Sequence, residues 1–132
     1  MTDHFVGPPI ELTLVAQPEH VRTARLVAVA VARTLSFADA LLDEVRLAVG
    51  EVCARAVRQA AACDPPRLVR VDIDDRDRLQ VRVHGSGAAA VPGPGGDADE
   101  LSLAVVRGLV PSLRREPDAV VLHWPAAAGA SR

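Results

Sequence analysis

LLDEVRLAVGEVCARAVRQAAA, residues 41–62, decides how the rest of the chain must be arranged. At about 100° per residue, Leu41, Val45, Ala48, Val49, Val52, Ala56 and Ala60 fall on one arc, which predicts a long helix with a core face. Glu51 and Arg55 stand one turn apart, roughly 40° around the axis, at the rim of that arc. A half-buried side chain there can reach a ligand. As structure alone, the pair is an i,i+4 ion pair worth a few tenths of a kcal/mol.

Upstream, Ser36 and Asp39 form an S-x-x-D capping pattern for this helix. Before them, Pro18 opens another helix, with Val21, Ala24, Ala28, Val31 and Leu35 in phase as far as Ser36. Its middle, Leu26 to Ala32, is apolar almost all round, which implies cover from the second helix, a sheet or another subunit. Earlier still, Ile10, Leu12, Leu14 and Ala16 alternate with polar residues, the pattern of a half-buried strand. Downstream, Asp64-Pro65-Pro66 stops the long helix. Two strands follow, with Val69, Val71 and Ile73 on one face of the first and Leu79, Val81 and Val83 on one face of the second. DRDR, residues 75–78, is the hairpin between them.

Residues 85–99, GSGAAAVPGPGGDAD, read as an irregular mobile loop. ELSLAVVRGLVPSL then predicts a helix packed through Leu101, Val105, Val106 and Leu109, and AVVLHW, residues 119–124, a last strand. One domain spans the 132 residues, with a core over about 10–125. The expected class is α+β, a two-layer α/β sandwich with helices on one face of a mainly antiparallel sheet.

The net charge of −2 supplies no basic field, so nucleic acid is not an expected partner. The longest apolar run is too short for a membrane span, and the N-terminus has no signal-peptide pattern, so a cytoplasmic location is expected. All fifteen basic residues are arginine, and the chain has no Lys, Asn or Tyr, a bias of GC-rich coding. Cys53 and Cys63 are about 15 Å apart along a helix, too far for a disulfide. Both are expected as free thiols, Cys53 as a small core residue.

AVGEVCARAV, residues 48–57, resembles the N box of the Bergerat (GHKL, histidine kinase-like) ATPase fold, in particular the RsbW-type anti-sigma factors and serine-protein kinases. The pattern there is roughly A-V-S-E-A-x-x-N-A. The element order resembles that fold over nearly the whole chain, with the Gly/Pro-rich loop in place of the ATP lid. By this resemblance Glu51 occupies the position of the catalytic base, and Arg55 that of the Asn that holds Mg²⁺. The second signature, D-x-G-x-G, has an Asp that accepts from the adenine amino group. Here Val83 replaces that Asp, while Gly85 and Gly87 are kept. The third, G-x-G-L, opens the helix after the lid and meets phosphates. Here it reads Glu100, Leu101, Ser102, Leu103, with Asp97 and Asp99 adding negative charge. His84 is expected as a solvated residue on the opposite face of its strand.

The metal Asn, the adenine Asp and the phosphate glycines are all replaced, so the nucleotide-binding positions Arg55, Val83, Gly85, Gly87, Glu100 and Ser102 are degenerate and Glu51 is a remnant. The resemblance then implies a transcription regulator that acts by protein binding, without kinase activity. Its expected partners are a sigma factor or a STAS-type anti-anti-sigma protein, with a homodimer possible and no cofactor or metal. The alternative is an active serine-protein kinase or ATP-binding anti-sigma factor that uses ATP and Mg²⁺.

Overall fold

In a computed structural model, which describes residues 9–85 and 96–126 and, of residues 96–100, the backbone alone, eight elements follow one another. They are β1 (Ile10–Leu14), α1 (Glu19–Thr34), α2 (Asp39–Ala61), β2 (Val69–Asp74), β3 (Arg78–His84), α3 (Gly96–Leu109), β4 (Ser112–Glu116) and β5 (Ala119–Pro125). The strands form one antiparallel sheet in the order β1-β2-β3-β5-β4, and the three helices pack on it, the expected α+β two-layer class.

The long helix carries its apolar arc inward as predicted. Val45, Ala48, Val49, Val52 and Ala56 are fully buried, with Leu42, Cys53 and Val57 beside them. Alternation does the same for the sheet: Val69, Val71 and Ile73 on β2 and Leu79, Val81 and Val83 on β3 face the helices, each at most 1% exposed. On β5, Val120, Leu122 and Trp124 continue that face. The indole N–H of Trp124 donates to Glu44 Oε1 on α2 at 3.4 Å, so the one polar atom of a buried ring has a partner.

The other sheet face carries a chain of charges. Arg70 meets Glu11 and Asp72 at 3.1 Å, Asp72 meets His84 Nε2 at 2.8 Å, and Arg82 meets Glu116 at 3.2 Å. Val121 lies in register between Arg82 and Arg114 and is 1% exposed, shielded by their aliphatic stems. Burial raises the Asp72 carboxyl, but hydrogen bonds from Arg70 and His84 outweigh it and hold the group below the usual range. Hydrogen bonding from Arg114, with Arg82 nearby, does the same for Glu116. His84 is therefore a partner in this ladder, where a freely solvated side chain was expected.

Four other expectations change. Ser36 does not cap α2. It takes the left-handed conformation, φ 63°, just after α1. Its N–H bonds Arg33 O and that of Phe37 bonds Ala32 O, the Schellman closure of a helix C-terminus, with Phe37 buried behind it. α2 then begins at Asp39 without a side-chain cap. The third helix begins at Gly96, inside the stretch read as loop, and its inward residues are Leu103 and Val106, followed by Val110. Leu101 and Val105 are 67% and 54% exposed. β4 was not foreseen at all. The apolar middle of α1 is also less covered than predicted: Leu26 is 60% exposed, and with Ile10, Val27, Ala30, Val31 and Thr34 it forms a shallow apolar surface beside β1.

Candidate functional site

α2 lies between α1 and α3 with the sheet beneath it, and its residues 51 and 55 therefore face different surroundings. Glu51 is exposed, and its Oε2 accepts a 2.6 Å hydrogen bond from the Ser102 hydroxyl on α3. Arg55, one turn later, is 0% exposed. The rim position predicted for Arg55 is thus corrected: α2 packs against α1, α3 and the sheet, and Arg55 is among the largest fully buried side chains.

Val83 is also 0% exposed, paired in register with Val71 and Val120 on the core face. Gly85 ends β3 with φ 92°, a left-handed conformation that favours glycine, and its N–H donates to Asp118 O at 2.7 Å. A Cβ there would touch nothing, so the backbone turn, not crowding, requires the glycine. Gly87 lies outside the described residues. Glu100 sits in the first turns of α3, and its side chain lies outside them too. Of the predicted site residues, the structure joins Glu51 and Ser102 directly.

Both cysteines are free, as expected. Burial pushes the Cys53 thiol up to about 12, against a smaller lowering by Arg25, so it holds no thiolate for nucleophilic chemistry near neutral pH. Among the described residues, no three His, Cys, Asp or Glu side chains are grouped to hold a metal ion, and no helix is long and apolar enough to cross a membrane.

The model of the histidine kinase-like ATPase domain matches residues 14–123, from the end of β1 to the end of β5. The chain belongs to this family. No curated protein matches it. Within the histidine kinase-like ATPase domain, the match spans the helix with Glu51 and Arg55, the β3 end with Val83 and Gly85, and the α3 start with Glu100 and Ser102.

The residues present do not fit a Mg-ATP complex of the kind the resemblance implies. A guanidinium cation, buried and always charged, stands at the metal-ligand position. A core valine stands at the adenine-acceptor position and offers no side-chain oxygen. Ser102, at a phosphate-glycine position, binds the carboxylate of Glu51. Sequence reading missed one close approach. A Cβ on Gly50 would lie 2.8 Å from Arg25 Cδ, so that glycine lets the α1 arginine cross α2. An isolated glycine inside a long helix is the signal that marks it.

Proposed function

We propose that this histidine kinase-like ATPase domain is a degenerate, RsbW-like regulator that acts by protein association, anti-sigma-factor-like and without kinase activity. The observation that carries the reading is Val83. It is sealed in the sheet at the position where the family's nucleotide-binding Asp is expected. The buried cation of Arg55 supports it, because a cation there opposes Mg²⁺. The partners proposed are a sigma factor or a STAS-type anti-anti-sigma protein. The apolar surface of Leu26, Val27, Ala30 and Val31 beside Ile10 supports protein contact, including a homodimer.

Two measurements test this. Capture of the full chain's partner from its native cell, followed by sedimentation with and without ATP, should give a complex that survives complete removal of nucleotide. A competent nucleotide site at 100 times its dissociation constant would stabilise the fold by about 2.7 kcal/mol. No magnesium-dependent rise in melting temperature with Mg-ATP is expected, and none after Arg55→Asn alone. The exposed carboxylate of Glu51 favours the second reading, an active serine-protein kinase. A magnesium-dependent shift, or phosphate transfer to a partner's serine, would establish that reading instead.

A further inference from the structure

The outer groove between α1 and α2 is lined by arginines from both helices. Arg22 and Arg25 come from α1, Arg46 and Arg58 from α2, and Glu51 is the one carboxylate among the lining residues. Arg55, Val83, Gly85 and Ser102 do not line it; of the described site positions named above, Glu51 alone does. The groove holds about 450 Å³, the size of a small-molecule site. Between the arginines its lining is apolar, from Val21, Ala54, Val57 and Leu47, the last 56% exposed.

Charge and spacing describe the ligand. In a chain of net charge −2, four guanidiniums gathered on one groove reverse the sign locally. Among the described residues, no ion pair engages Arg22 or Arg25. Arg46 pairs with Asp43 at 2.7 Å, but both side chains are well exposed and easily exchanged. Arg46 and Arg58 are twelve residues apart, which brackets roughly 18 Å of helix. A single small anion meets only part of this row of arginines, whereas a ligand with several negative groups meets more of them, which favours a polyanion over a lone anion. Guanidinium forks bind phosphate oxygens in pairs, which makes phosphate-type groups the best match.

We propose that the Arg22, Arg25, Arg46 and Arg58 groove between α1 and α2 binds a small polyanion carrying two or more phosphate-type groups, its body resting against the apolar lining that includes Leu47. Gly50 sets the position of Arg25, because a Cβ at residue 50 would collide with Arg25 Cδ.

The test is calorimetric titration of the full chain with tripolyphosphate, pyrophosphate and phosphate at constant ionic strength. Saturable binding is expected, strongest for tripolyphosphate, and reduced at least tenfold in Arg22→Ala and in Arg25→Ala. Gly50→Ala should weaken binding by displacing Arg25, with an unchanged or higher melting temperature. That variant separates the site from a folding defect. Arg76→Ala, in the distant β2–β3 turn, should bind normally. Adding Mg²⁺ should weaken binding by chelating the probe, opposite in sign to a Mg-ATP site, so this proposal and the proposed function fail separately. Absence of saturable binding, binding indifferent to Arg22→Ala and Arg25→Ala, or tighter binding of a Glu/Leu peptide than of tripolyphosphate would overturn it.

Discussion

The Ser102 hydroxyl reaches across from α3 to donate a 2.6 Å hydrogen bond to Glu51 on α2, two side chains 51 residues apart in the chain. Ser102 stands where the family resemblance places a phosphate-cradling glycine, and Glu51 where it places the base. A hydroxyl at that position thus engages the Glu51 carboxylate. The contact is partly solvated, so its coupling should be modest. A double-mutant cycle of Ser102→Ala and Glu51→Gln, read by urea denaturation, should return about 0.5–1 kcal/mol. Additive single effects would show that the bond contributes nothing in solution.

Restoring the family residue at position 83 should harm the protein. Val83→Asp buries a carboxylate between Val71 and Val120 at a site with no exposure. The expected cost is about 3 kcal/mol or more, seen as a large drop in the denaturation midpoint. A folded Val83→Asp chain of unchanged midpoint would mean that this strand end opens to solvent.

Two helix phases can be checked by charge insertion. Val52→Asp, at the centre of the α2 arc, should destabilise by several kcal/mol. Val105→Asp, on the outward side of α3, should stay within about 0.5 kcal/mol of the parent. Equal effects would contradict the orientation of α3.

Stability should fall in acid. Asp72 and Glu116 have folded-state values below their ordinary 3.8 and 4.5. A depressed carboxylate contributes stability above its unfolded value and loses it as pH falls through the folded one. Melting temperature should therefore decline from pH about 4.5 downward. Asp72→Asn should lessen the slope while lowering stability near neutrality. Both groups are half-buried at the sheet surface and still reached by solvent, so each effect is small and screened by salt.

Thiol labelling should divide the cysteines. Cys53 is fully buried, whereas Cys63 is half-buried, its Sγ 3.4 Å from the carbonyl of Gln59. An aromatic disulfide reagent should modify Cys63 in the native chain and Cys53 only when urea is added. Rapid native labelling of both would show that the α2 core opens.

Residues with a strong period were legible from the sequence, and those set by neighbours were not. Val45, Val49 and Val52 could be placed because helical spacing and burial agree, as could Val69, Val71 and Ile73 by alternation. β4 escaped because Ser112-Leu113-Arg114-Arg115-Glu116 is a charged edge strand with a single apolar residue, and Pro111 before it reads as a helix end. The α3 phase went astray because Leu101 and Val105 repeat at four residues as plausibly as Leu103, Val106 and Val110. Ser36 satisfies a capping pattern but serves the preceding helix. At the site, the residue types at positions 51, 55, 83 and 102 were visible. The burial of Arg55 and the approach of Ser102 to Glu51 depend on how α2 packs against the rest of the chain, which no local pattern encodes.

Trp124 gives this fold a built-in optical gauge. It is the sole tryptophan, the chain has no tyrosine, and its ring is 2% exposed beside Glu44. Near-ultraviolet emission therefore comes from one spot, the seam between α2 and β5. Any event that parts that seam, from global melting to a partner levering the long helix off the sheet, will shift the colour of a single dye.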